Sequence, residues 1–214
     1  MSNSGPINVP AADLIQRCRC GEKNALDQLF QRYRHYLHLL AEAQLGRHLR
    51  AKCDASDIVQ QSLLEAYRDF AGFHGAQEGE LLAWLRQILA HNLCNEARRF
   101  AAQQRDAARE ISLEQVRAGV DHSSLALGRC LAAEGPTPSS LAAQHEASLR
   151  LAETLARLPA NYQQVIVLRV FEGLSAEEVA QRMDSTAGAV RMLQLRALTA
   201  LRAELARERD SRSE

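Results

Sequence analysis

The stretch Gly173–Leu205, GLSAEEVAQRMDSTAGAVRMLQLRALTALRAEL, restricts the fold more than any other part of the chain. Ser175 is followed three residues later by Glu178. This is a capping box: the hydroxyl accepts a backbone N–H from the first helical turn, and the carboxylate accepts the one at the cap. A helix therefore starts at Ala176, with Val179, Ala180 and Met183 on its apolar face. Asp184, Ser185 and Thr186 interrupt it. Asp tolerates left-handed backbone angles, and Thr186 can cap a second helix. That second helix places Val190, Leu193, Ala197 and Leu201 on an inward stripe and Arg191, Leu195, Arg196 and Arg202 on the other side. A short helix, a tight turn and a longer helix with an arginine-bearing outer face fit a helix-turn-helix. An ordinary helical hairpin has the same spacing.

Composition narrows the class. A chain of 214 residues makes one large or two small domains. Aromatics at 5%, with 11 Gly and 5 Pro, favour an all-α protein with small cores. A formal net charge of zero argues against a protein that coats nucleic acid by electrostatics alone. Among the 26 basic residues only Lys23 and Lys52 are lysines. Arginine suits bidentate contact with phosphates and guanine edges, although GC-rich coding produces the same bias.

The 5 cysteines are odd in number and scattered, and the polar N-terminus MSNSGPINVP lacks a secretory apolar core. Free thiols in a reducing cytoplasm are expected. Cys18 and Cys20 lie two residues apart, on different sides of a helix, so no metal site is expected there. No apolar run reaches the roughly 18 to 20 residues of a membrane span. Nucleotide-binding loops, nucleophile elbows and zincin motifs are missing, so neither an enzyme nor a cofactor is expected.

From Ala11 to Phe100 the pattern is helical. A first helix, Ala11–Cys20, stops at Gly21, and a second, Lys23–Leu45, carries Leu26, Leu29, Phe30, Tyr33, Leu37 and Leu40 inward and is ended or interrupted by Gly46. Asp54 or Ser56 caps a third that runs to Phe70, with Ile58, Leu63, Ala66, Tyr67 and Phe70 inward. After a loop at 72–79, a fourth spans Glu80–Phe100, where Trp84 and Ile88 form a core-facing i, i+4 pair. Residues 103–143 are polar, lack a sustained stripe and include Gly135-Pro136-Thr137-Pro138, which reads as a linker with transient helix. Helices resume at Gln144–Leu158 and Ala160–Phe171. The chain thus divides into 8–102, a linker at 103–143, and 144–208.

This arrangement resembles a bacterial RNA polymerase sigma factor of the extracytoplasmic-function type, over nearly the whole chain. LARLPANYQQVIVLRVFEGLSAEEVAQRMDSTAGAVRMLQLRALTAL is similar to the family's region four, DASDIVQQSLLEAYRDFAGF to region 2.2, and AWLRQILAHNLCNEARR to regions 2.3 and 2.4. The resemblance implies two all-α domains, sigma regions two and four. It also implies core RNA polymerase and promoter DNA as partners, and it admits an anti-sigma factor.

Carried over residue by residue, the resemblance assigns Asp54, Asp57, Gln60, Gln61 and Glu65 to core-polymerase binding; Gln61 stands where relatives often have an acid. Such an acidic, amide-rich face can also be simply solvated. Asn92, Asn95 and Glu96 fall in the segment that reads an unwound downstream promoter element, where a base is flipped into a pocket, and Arg98 and Arg99 would hold phosphates. An asparagine in a helix can equally be a cap or a surface residue. Thr186, Arg191, Met192, Leu195 and Arg196 belong to the upstream-element reader. Met192 and Leu195 could touch thymine methyls or pack on the polymerase flap. The family commonly has a basic residue at Leu193 and an apolar one at Gln194, which suggests an altered helix rotation. The alternative function is a helix-turn-helix activator that acts independently of core. It would need an N-terminal sensor or receiver, and alternating strands or a phosphoacceptor pattern are lacking there.

Overall fold

The computed structural model of the protein describes residues 9–22, 24–49, 53–103, 112–132 and 140–210. Among these, nine α-helices succeed one another: α1 (Ala11–Arg19), α2 (Ala25–Leu49), α3 (Ala55–Asp69), α4 (Glu78–Gln103), α5 (Leu113–Ala132), α6 (Leu141–Arg157), α7 (Ala160–Ile166), α8 (Ala176–Arg182) and α9 (Ala187–Asp210). A 3-10 turn at Phe70–Gly72 closes α3, and a π-type turn at Val167–Phe171 prolongs α7. No strand occurs among the described residues.

Local chemistry sets the boundaries. After α1, Gly21 takes φ +78°, and its N–H reaches the Cys18 carbonyl at 3.0 Å. Asp54 caps α3 by accepting from the Ser56 N–H at 2.8 Å. Ser140 accepts from the Ala143 N–H at 3.2 Å to open α6. At α8 both halves of the capping box form, at 3.1 Å and 2.8 Å. Asp184 adopts φ 48°, and Thr186 accepts from the Ala189 N–H at 3.2 Å, which turns the chain into α9.

From 36 to 45 helix α2 has no fully exposed residue, whereas in its first half Asp27, Gln28, Gln31, Arg34 and His35 face solvent. It packs against α1, α3, α4, α5, α6 and the π-type turn. The sequence stripe accounts for Leu29, Phe30, Tyr33, Leu37 and Leu40, but Tyr36, Leu39, Ala41, Ala43 and Leu45 are buried too. A helical stretch surrounded by neighbours has no solvent face to leave polar, so one stripe underestimates the second half of α2. The helix also continues through Gly46 to Leu49, because a glycine inside a long packed helix costs only about 1 kcal/mol relative to alanine.

Two further expectations change. Tyr67 is 49% exposed rather than inward. The segment expected to be a linker contains the 20-residue helix α5, which packs on α2, α4 and α6. Its apolar contribution is small, with Val120, Ala126 and Leu127 buried, so the sequence carries only a faint stripe. Polar bonds supply the rest. Gln44 Nε2 donates to Ser123 Oγ at 2.8 Å, Tyr36 Oη pairs with Ser124 Oγ at 2.9 Å, and Arg86 Nε donates to Asp121 Oδ1 at 3.0 Å. Gly119 permits the close approach: a Cβ there would lie 2.2 Å from Gln44 Oε1. Residues 104–111 and 133–139 of the expected linker lie outside the described residues.

Helix α6 rests on α2, α4 and α5, so the second helical set packs on the first. Arg32 anchors this seam. It pairs with Glu78 at 3.3 Å and with Glu146 of α6, and donates to the Val9 carbonyl at 3.1 Å. An aromatic cluster joins α2, α3 and α4: Phe30 meets Phe70 edge-on at 6.2 Å, and Trp84 stacks on Phe73 at 5.0 Å and meets Phe70 edge-on at 6.4 Å.

Gly119→Val should force Gln44 off Ser123 and cost about 1–3 kcal/mol, seen as a lower denaturation midpoint. Burial pushes the Cys18 thiol up to about 11, with the Glu22 carboxylate adding to the effect. Cys18 should therefore react with iodoacetamide at pH 8 at least about tenfold more slowly than exposed Cys20, and the gap should close on unfolding.

Candidate polymerase and nucleic-acid interfaces

Helix α3 buries Ala55, Ile58, Val59, Ser62 and Ala66 and turns its other side outward. Asp54, Asp57, Gln60 and Gln61 are exposed there, and Glu65 is half-buried. Between them and Arg68 lie Leu64 and Tyr67, 47% and 49% exposed. The sequence reading missed this apolar pair. Leu64 and Tyr67 are spaced i, i+3 but fall off the inward stripe of Ile58, Ser62 and Ala66, and that offset is the signal that could have revealed them. Single exposed apolar residues need no explanation, but here a leucine and a tyrosine stand together among carboxylates and amides, so the face combines charge with apolar area.

On α4, Asn95, Arg98 and Arg99 are exposed and Glu96 is half-buried. Arg99 NH1 lies 3.5 Å from Glu96 Oε1. The Cys53 thiol sits 3.9 Å from Glu96 Oε2, and its proton is held more tightly than usual, first by burial and then by that carboxylate. Asn92 is placed differently. It is only 8% exposed, and its amide Nδ2 donates to Ser62 Oγ at 3.1 Å and to Glu65 Oε2 at 2.9 Å, both on α3. The residues expected to meet polymerase and those expected to meet DNA are thus joined side chain to side chain across α3 and α4.

The α9 residues form a separate set, on a helix packed against α6, α7 and α8. Val190, Ala197 and Leu201 are buried and Leu193 is half-buried, so the inward stripe lies where the sequence puts it. Thr186 is exposed and caps the helix. Arg191, Met192, Leu195 and Arg196 all face solvent, with Met192 51% and Leu195 56% exposed. The unusual Leu193-Gln194 order has a local cause. Gln194 Oε1 accepts from Arg169 Nε at 3.0 Å, and Arg169 also donates to the Leu174 carbonyl, so a polar residue at 194 ties α9 to the chain ahead of α8. Arg182 of α8 pairs with Glu172, which fixes the other end of that connection. A further residue that the sequence reading missed is Glu177, whose carboxylate accepts from Arg191 at 2.7 Å.

Among the described residues, no group of three or more His, Cys, Asp or Glu is arranged to hold a metal, and no helix is long and apolar enough to cross a membrane.

Over residues 9–211 the chain matches the family model described as ECF sigma factor. It is 30% identical over 198 residues to the ECF RNA polymerase sigma factor SigD of Mycobacterium tuberculosis strain H37Rv, covering 90% of this chain and 82% of that one. It is 30% identical over 178 residues to the ECF RNA polymerase sigma-E factor of Haemophilus influenzae, covering 83% and 86%. A solved structure, the flagellar sigma/anti-sigma complex Sigma-28/FlgM, aligns over 87% of this chain and 98% of that one with TM-score 0.34 and 18% identity.

The Arg191–Glu177 pair is exposed on both sides, so solvent screens it and it contributes little to stability. It nevertheless sets a negative charge beside an arginine on the outer face of α9. Glu177→Gln should leave the melting temperature within about 1 °C while strengthening binding of the protein to duplex DNA by roughly two- to fivefold at low salt. The gain should shrink as salt rises.

Proposed function

The chain belongs to the ECF sigma factor family, directing RNA polymerase to promoters and starting transcription there, and we propose how its faces divide that work. The outer face of α3, with Asp54, Asp57, Gln60, Gln61 and Glu65 around Leu64 and Tyr67, docks on core polymerase. Carboxylates steer a basic partner, while the leucine and tyrosine supply the desolvated centre that holds affinity. The exposed end of α4 meets the unwound downstream element, with Asn95 and Glu96 at the bases and Arg98 and Arg99 on phosphates. Helix α9 enters the major groove of the upstream element, where Arg191 and Arg196 reach base edges or phosphates and Met192 and Leu195 meet thymine methyls.

The observation that carries this reading is that the helical body packs α2 among α1, α3, α4, α5 and α6 and leaves these three faces open to solvent. The protein acts as a regulatory subunit with no catalytic step of its own, in the cytoplasm, where promoter DNA and core polymerase are found. An anti-sigma factor that covered α3 or α9 would silence it. Zero net charge fits weak DNA binding by the free chain, with polymerase supplying the remaining contact area.

Transcription by reconstituted holoenzyme on duplex and on pre-melted templates tests the division. Arg196→Ala should reduce activity on duplex promoter about 5- to 150-fold, from a loss of roughly 1–3 kcal/mol, and change little on a pre-melted template that lacks the upstream element. Arg98→Ala combined with Arg99→Ala should weaken both and lower the salt slope of binding by roughly 2. Equal behaviour of the two variants on both templates would sink the assignment.

A further inference from the structure

We propose that Asn92 is a positioning residue for polymerase binding: its amide holds the Glu65 carboxylate in the geometry that core polymerase meets. The proposal rests on the reading of α3 as the polymerase-docking helix.

The hydrogen bonds fix its orientation. Ser62 Oγ donates to the Ile58 carbonyl at 2.8 Å. A serine hydroxyl has one hydrogen, so toward Asn92 it can only accept. Asn92 must therefore present its NH₂ to Ser62, and the reversed amide would also point a carbonyl oxygen at the Glu65 carboxylate. Both N–H groups are then used, one at 3.1 Å to Ser62 and one at 2.9 Å to Glu65 Oε2. On its other side Glu65 Oε1 accepts from Gln61 Nε2 at 3.0 Å. The carboxylate is thus gripped by two amides, one on each oxygen, and keeps its remaining lone pairs for an incoming cation. A free glutamate would lose side-chain freedom on binding, and this one has already lost it. The grip starts from a side chain only 8% exposed on α4, so the polymerase face of α3 depends on a residue of the neighbouring helix.

The test is the affinity of the full-length chain for core polymerase, measured by fluorescence titration. Asn92→Ala should weaken binding about three- to tenfold. In a Glu65→Ala background the same substitution should have no further effect, because the group it positions is gone. Ser62→Ala removes the other bond and leaves the Glu65 contact, so it should bind core as the parent does; a merely structural role for this cluster would make it as harmful as Asn92→Ala. If Asn92→Ala melts early, Asn92→Ser replaces it, since a serine keeps a polar group but is too short to reach Glu65.

Additive losses from Asn92→Ala and Glu65→Ala would overturn the proposal. So would parental core affinity of Asn92→Ala together with failure of the saturated holoenzyme on a pre-melted promoter, which would give the amide to DNA. Parental affinity of Glu65→Ala, Leu64→Ala and Tyr67→Ala would instead remove the docking role of α3 itself, and the positioning role would fall with it.

Discussion

Burial of the second half of α2, residues 36–45, on every side is the constraint on which the other elements depend. A stretch in which no residue from 36 to 45 is fully exposed must be surrounded, and α1, α3 and α4 cover only part of it. The chain closes the gap with α5 and α6, one from within the segment expected to be a linker and one from its far end. The two helical sets therefore share a core at α2, and the polar seam of Arg32, Glu78 and Glu146 is a result of that sharing.

Much of this was legible in the sequence where local chemistry decides. The capping box at Ser175, the left-handed Asp184 and the Thr186 cap depend on a few adjacent atoms, and they form as the residues predict. The outward set on α9 was legible too, because a helix that packs on one side announces its free face by period. The sequence was silent where long-range partners decide. Tyr36 and Leu39 break the stripe of α2 and make sense only once α5 and α6 are in place. Helix α5 hides because serines, a glycine and small apolar residues do the packing, which is the composition of a loop.

Of the candidate sites, the surface residues were easier to foresee than their connections. Asp57, Gln60, Asn95 and Arg196 are exposed, as any polar helix face suggests. That Asn92 turns inward and presents its NH₂ to Ser62, which has already given its only proton to Ile58, is a fact that no spacing rule contains. The Leu193-Gln194 order likewise looks irregular until Arg169 is seen beside it.

The helical state of α5 also sets how far apart the two halves of the molecule can travel. As a helix, its 20 residues span about 30 Å. Drawn out, the same residues reach about 66–72 Å. The segment is a coiled length of tether, wound against the core by a handful of serine, glutamine and arginine contacts rather than by a large apolar face. Releasing those few contacts more than doubles the length that this helix alone can span while every residue of α4 and α6 stays folded.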